Sequence, residues 1–194
     1  MDRFQQSVFS ASNLPNTAHK LVFINAGNAG SGFGGNFFDI DAITYEFELG
    51  DGTFTQSIID NLAPAFKYFP STSAWETISS PAHFDGTSLT TSVSDGRVQL
   101  AFSGSAVALY GPVGPQHGNY TCQVDGQNAV AYSGKYPSIA QRQLLCLFQG
   151  LESGNHTLIA DNVSSGNTVF AVDFASIWTK DTAANTTATP IPMP

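Results

Sequence analysis

A hydrolase built on this chain would need a nucleophile beside a base, or two acids converging in a cleft. The four histidines, at 19, 83, 117 and 156, are where a base would be sought. His19 and His156 each stand just ahead of an apolar run of the same pattern, which suits the bracing of a turn. His83 falls in a loop, and His117 in Gly114-Pro115-Gln116-His117-Gly118. Ser103 precedes Gly104 but lacks the G-x-S-x-G elbow that exposes a nucleophile. Fifteen Asp and Glu residues offer many pairs, and nothing in their spacing selects one. The histidines are therefore read as structural or surface residues, no catalytic residue is assigned, and the chain is expected not to be an enzyme.

Gly30-Ser31-Gly32-Phe33-Gly34-Gly35 is formally G-x-G-x-x-G. A dinucleotide site needs a helix next, so that its first N–H groups meet the pyrophosphate, and here the following apolar pattern has period 2. A hairpin loop fits better. Aromatic side chains offer a different chemistry, because ring faces lie against the apolar side of a pyranose while amides and hydroxyls fix its orientation. Tyr68, Phe69 and Trp75 lie in an irregular stretch, and Tyr136 in Gly134-Lys135-Tyr136-Pro137. These four are the candidate ligand-binding residues; Trp75 has a second reading, as a plug at one end of the fold. With a net charge of −8 and 7 scattered Lys and Arg residues, the chain would repel nucleic acid and acidic polymers, so the expected partner is a neutral glycan.

The elements that must position these residues announce themselves through a repeat. At an offset of 137 residues, Gln6, Leu14, His19, Leu21 and Asn25 fall on Gln143, Leu151, His156, Leu158 and Asn162. Past a loop five residues longer in the first copy, Phe38 and Asp41 fall on Phe170 and Asp173. The apolar pattern is kept between them, with Val8 on Leu145, Val22 on Ile159 and Ile40 on Val172, as in a repeated β module. In the first copy, strands are expected at 7–11, 19–25 and 37–48. Later ones are expected at 54–59, 88–93, 98–103, 106–110, 120–124, 129–133, 143–148, 156–160 and 169–178, with 60–80 irregular. Asp51-Gly52, Asp95-Gly96, Ser103-Gly104, Asp125-Gly126 and Ser153-Gly154 supply turns. No helical period appears, so the fold expected is all-β: an antiparallel two-sheet β-sandwich or jelly roll. One complete module, 49–180, would follow a partial one, 1–48. Residues 181–194, rich in Thr and Pro, read as a linker or stalk.

Charged residues are only 11% of the chain, against roughly 25% in average soluble domains, while Gly, Ser, Thr and Asn abound. Such a surface suits an extracellular β-protein. Asn-x-Ser/Thr sequons at Asn119, Asn155, Asn162 and Asn185 point the same way. Cys122 and Cys146 lack the spacing of a zinc site, and a bridge between them is expected, closing a loop of about 25 residues. No run of 18 apolar residues occurs, so this segment is expected to make no membrane contact of its own. Met1-Asp2-Arg3 is not followed by an apolar run, and further sequence upstream is expected.

Several stretches resemble the galactose-binding-like β-sandwich repeats in ectodomains of basidiomycete fungal surface proteins. They are Phe102 to Gly111, His117 to Gly126, Leu144-Leu145-Cys146 with Gly150-Leu151, His156-Thr157-Leu158 and Val172-Asp173, which together span about 55–178. The resemblance implies a jelly-roll module, often in tandem, then a stalk and a downstream membrane span outside this chain. In carbohydrate-binding jelly rolls a carboxylate placed like Asp173 helps hold a structural calcium ion, and Asp60 could supply a second oxygen ligand. The other reading of Asp173 is a carboxylate accepting hydrogen bonds from the neighbouring chain. Two functions stand open: a non-catalytic carbohydrate-binding module, or an architectural, glycosylated spacer or sensor module.

Overall fold

The computed structural model describes residues 9–15, 17, 19–24, 40, 43, 52–164, 166 and 168–181. The chain divides into two units, Met1–Glu48 and Leu49–Pro194. In the second, alternating apolar residues and Gly-containing turns produce twelve strands. They are β1 (Phe54–Asp60), β2 (Phe66–Phe69), β3 (Glu76–Ser79), β4 (Thr87–Thr91), β5 (Arg97–Gly104), β6 (Ala106–Val113), β7 (Asn119–Val124), β8 (Val130–Ser133), β9 (Ala140–Phe148), β10 (Gly154–Asn162), β11 (Phe170–Val172) and β12 (Phe174–Lys180). All ladders between them are antiparallel.

One layer has the order β2-β5-β10-β7-β8. The other combines β1-β12-β6-β9 with β11-β4-β3, since β11 and β12 are one extended run interrupted at Asp173. There the Asp173 N–H donates to the Tyr110 carbonyl (2.8 Å), and its own carbonyl accepts from the Asn61 N–H (3.0 Å). From β4 to β7 each strand crosses to the opposite layer, which is jelly-roll connectivity. Period 2 decides what faces inward: Val98, Leu100 and Phe102 on β5, Tyr120, Cys122 and Val124 on β7, and Leu158 and Ala160 on β10 are buried together with Val107, Leu109, Cys146, Val172 and Ile177. Between β6 and β11 the backbones come so close that a Cβ on Gly111 would lie 2.3 Å from the Ala171 carbonyl oxygen. Only glycine fits there.

Cys122 and Cys146 form a disulfide with a Cα–Cα separation of 6.6 Å. Since β7 and β9 belong to different layers, the bridge ties the two sheets together. The Asp125-Gly126 pair makes the turn after β7, with φ of 51° and 72° and a hydrogen bond from the Gln127 N–H to the Val124 carbonyl.

The expected irregular stretch 60–80 instead contains β2, β3 and a 3-10 turn, Thr72–Ala74. Both strands are only four residues long and lie at sheet edges, each pairing on one side, so their alternation is too brief to read. In the first unit, 9–11 and 19–24 are not in strands, against expectation. The positions 137 residues further on lie in β9 and β10, which pair with β6, β5 and β7. The expected strand 37–48, apart from Ile40 and Ile43, lies outside the described residues, as do the glycine loop 30–35, the stalk beyond Asp181 and Asn185. Among the described residues no helix is long and apolar enough to cross a membrane.

Candidate functional site

The four aromatic candidates divide into core and surface. Tyr68 points inward from β2, between the outward-facing Lys67 and Phe69, and meets Trp75 at a tilt, with ring centroids 4.9 Å apart. Its hydroxyl donates to the Asn61 carbonyl (2.8 Å), and burial pushes its pKa far above the ordinary phenol value. Trp75 is 5% exposed, meets Phe170 edge-on at 6.1 Å, and donates from Nε1 to the Phe69 carbonyl (3.1 Å). Trp75 is therefore corrected from ligand-binding to core, its second reading, and Tyr68 to a half-buried ring packed against that core, with the polar atoms of both satisfied by backbone.

Phe69 and Tyr136 are exposed, at 42% and 39%. Both lie at the same end of the β2-β5-β10-β7-β8 sheet, the end where Phe69 pairs with Arg97, Arg97 with Asp161, Asp161 with Thr121 and Asn119 with Ser133. They stand at opposite edges, however, and four interstrand steps separate them by about 19 Å. They do not form one site. Between them Arg97 grips Asp161 through Nε (2.6 Å) and Nη2 (3.1 Å).

The Tyr136 loop is held by its backbone. The Gly114 N–H donates to Gly134 O (3.0 Å), Tyr136 N–H to Gly114 O (3.1 Å), and Gly134 N–H to Gly118 O (2.9 Å). Ile139, 69% exposed, belongs to the same loop, and its Cγ1 would lie 3.3 Å from a Cβ on Gly114. Beneath, His117 Nδ1 is buried without a hydrogen-bond partner in the protein, and burial lowers the pKa of the ring. The result is an exposed aromatic and an exposed aliphatic side chain on a backbone that has little freedom to move.

Asp173 is fully buried. Both carboxylate oxygens accept from the Phe84 N–H (2.9 and 3.1 Å), and burial pushes the carboxyl up to about 6. Asp60 Oδ2 accepts from the Leu62 N–H (2.9 Å). With its nitrogen turned towards them, the buried Asn61 amide donates to Asp60 Oδ1 (3.0 Å) and to the Asp173 carbonyl (3.0 Å). Calcium takes six to eight oxygen ligands, and the Asp60–Asp173 pair is instead surrounded by donors. The pair does not fit such an ion, and among the described residues no cluster of three or more His, Cys, Asp or Glu could hold a metal.

Sequence reasoning missed a Ser–His–Asp row beside Asp173. Ser88 Oγ lies 3.3 Å from His83 Nε2, and His83 Nδ1 3.8 Å from Asp173 Oδ2. The three are 1%, 3% and 0% exposed, so no substrate reaches the hydroxyl, and the 3.8 Å gap is too long for a hydrogen bond. Arg142 closes the group from above, donating to the carbonyls of Ala82 (2.8 Å) and His83 (2.6 Å). Burial, and then Arg142, hold the His83 pKa below its ordinary value. This row is a packed polar joint. His83 and Ser88 are neighbours in sequence, but Asp173 is far from both, so no local signal could have linked the three.

His156 braces a turn. Nδ1 meets Asp125 Oδ2 at 2.5 Å and Nε2 meets the Glu152 carbonyl at 2.7 Å, while Asp125 Oδ1 accepts from the Thr157 N–H (2.8 Å). With acceptors on both ring nitrogens the imidazolium is favoured, and the hydrogen bond to Asp125 raises the histidine and lowers the aspartate.

Among the sequons, Asn119 and Asn155 are exposed, but Asn162 is fully buried. Its Nδ2, the atom that would carry a glycan, donates to the Val93 carbonyl (2.9 Å), and its Oδ1 accepts from the Ser164 N–H (3.2 Å). Asn162 is corrected from glycosylation site to a buried brace between turns.

No protein-family model matches the sequence, and no curated protein does. Solved structures share its fold. A two-domain esterase active on acetylated mannans superposes with a TM-score of 0.52 at 12% identity, over 74% of this chain and 41% of that one. The same kind of esterase co-crystallized with mannopentaose gives 0.51 at 11% identity, over 66% and 38%. A family 35 carbohydrate binding module from Clostridium thermocellum gives 0.46 at 12% identity, over 61% of this chain and 96% of that one. The chain thus spans about two fifths of the esterases it matches, and at these identities the likeness is one of β-sandwich fold.

Proposed function

We propose that the sandwich of residues 52–181 is a non-catalytic carbohydrate-binding module that works outside the cell and takes a neutral glycan at the Tyr136 loop. The observation that carries this reading is the exposed Tyr136 ring on a loop fixed by three backbone hydrogen bonds. A loop whose backbone is already pinned loses little backbone freedom when a sugar stacks on its ring. Support comes from the fold, shared with esterases whose described substrate is acetylated mannan, one of them co-crystallized with mannopentaose. The net charge of −8 favours an uncharged polymer, and the Cys122–Cys146 bridge suits an oxidising compartment. The buried Ser88–His83–Asp173 row gives no access for hydrolysis.

One ring, one aliphatic side chain and a few hydrogen bonds correspond to dissociation constants of about 10 μM to 1 mM. Affinity electrophoresis through gels containing soluble mannan or β-glucan tests this. Wild-type protein should be retarded and Tyr136→Ala should not, with equal melting temperatures. Retardation that survives Tyr136→Ala places the site elsewhere. A wild type indifferent to every glycan on an array leaves the architectural reading in its place.

A further inference from the structure

Three stretches of chain meet at His117: residues 114–118, residues 134–139 and Val169 ahead of β11. The His117 N–H donates to the Gly114 carbonyl (3.0 Å), the oxygen that also accepts from the Tyr136 N–H. Gly118 donates to the Val169 carbonyl (3.0 Å) and accepts from the Gly134 N–H (2.9 Å). The Val169 N–H closes the knot on the Gln116 carbonyl (2.9 Å). The imidazole is wedged between two glycines: a Cβ on Gly114 would lie 3.2 Å from its Nδ1, and one on Gly134 would lie 3.0 Å from the His117 Cβ. Glycine at both positions makes room for the ring.

The wedged ring suits one charge state only. Nδ1 is enclosed without a hydrogen-bond partner in the protein. A neutral imidazole tolerates this, because one of its nitrogens is an acceptor that needs no proton placed. An imidazolium carries N–H groups on both nitrogens, and the inner one would be buried with nothing to receive it. No counter-charge relieves the strain: residues 114–118, 134–139 and 163–169 contain no Asp or Glu, and their one charged residue besides the histidine is Lys135. Val113, Asn119 and Ser133, where β6, β7 and β8 adjoin, are uncharged, and Arg142 on β9 is engaged with the carbonyls of Ala82 and His83. Burial accordingly lowers the pKa of the ring.

Resting on the reading of Tyr136 as the glycan platform, we propose that His117 is a pH-sensitive latch of that site: neutral, it holds the three stretches together and the platform is set; protonated, it loosens the loop and the glycan is released. The closed loop binds fewer protons than the open one, so closure weakens as pH falls through the ordinary histidine value of about 6.5. At pH 5 an unhindered imidazole is protonated by about 30 to 1, which sets the largest loss of closure at about 30-fold. No side chain from Lys135 to Ile139 is buried, so little packing holds the loop shut and a factor of this size decides its state.

The test reads the loop and the ligand separately. Amide exchange at Gly134 and Tyr136, taken relative to the amides of β10 and with no glycan present, should lose up to about 30-fold of its protection between pH 7 and pH 5. His117→Phe and His117→Gln, which do not titrate, should each give a ratio near one between the two pH values. In gels containing soluble mannan or β-glucan, wild-type protein should be retarded at pH 7 and run freely at pH 5. Protection equal at both pH values in the wild type would overturn the proposal, as would a loss that persists in both variants or retardation that is the same at pH 7 and pH 5. Retardation at neither pH, with the loop still loosened by acid, would overturn the glycan reading and the release that rests on it while upholding the latch.

Discussion

Replacing Trp75 with alanine separates a core aromatic from a sugar platform. The ring is 5% exposed, packs against Tyr68 at 4.9 Å and Phe170 at 6.1 Å, and donates one hydrogen bond to the Phe69 carbonyl. Truncating a buried Trp to Ala costs about 3–5 kcal/mol through lost transfer energy and the cavity left behind. The unpaired Phe69 carbonyl adds about 1 kcal/mol. A loss of about 4–6 kcal/mol is a large share of the roughly 5–15 kcal/mol that stabilises a domain. For a sandwich of this size it should lower the melting temperature by roughly 12–20 °C. Differential scanning calorimetry is the assay, with Tyr136→Ala as the comparison, since an exposed position should change stability by no more than about 0.5 kcal/mol. A Trp75→Ala variant melting within about 3 °C of wild type would show that the ring is not core, and the assignment of Tyr68 would fall with it.

Asp173→Asn should alter the pH profile of stability. With the folded carboxyl held near 6 instead of 3.8, the native protein binds more protons than the unfolded chain between those values. Stability therefore falls as pH rises through that window, by about 3 kcal/mol in total, and the asparagine variant should lack this fall. His83, held low, contributes the opposite slope below its ordinary value of 6.5, and it is present in both proteins, so urea titrations should be compared as differences; parallel curves would refute the assignment. Removing the bridge with Cys122→Ala and Cys146→Ala should cost about 3 kcal/mol in the chain-entropy description, read from denaturant midpoints, for a sequence separation of 24. Secretory expression followed by glycopeptide mapping should find glycans at Asn119 and Asn155 and none at Asn162; an occupied Asn162 in folded protein would contradict its burial.

The sequence by itself determined the period-2 runs from β4 to β12, the Asp-Gly turn after β7 and the cysteine pair, because each is written in local alternation, in residues that tolerate positive φ, or in residue type. It also placed His156 correctly as a turn brace, since its equivalent His19 recurs at the same step of the pattern. Tertiary structure decided everything that depends on which layer covers a residue. Tyr68 and Phe69 are adjacent and both aromatic, yet one packs half-buried against the core and the other is exposed, because β2 joins the edge of β5 with Tyr68 facing the opposite sheet. Asn162 reads as a sequon, but its amide closes a turn around Val93, 69 residues away. Asp173 meets the Phe84 N–H across 89 residues, and that long-range bond makes it a buried acceptor in a donor-lined joint. Local sequence encodes the strand and the turn. Burial, and with it the charge state and reach of every candidate side chain, is set only when distant strands close over one another.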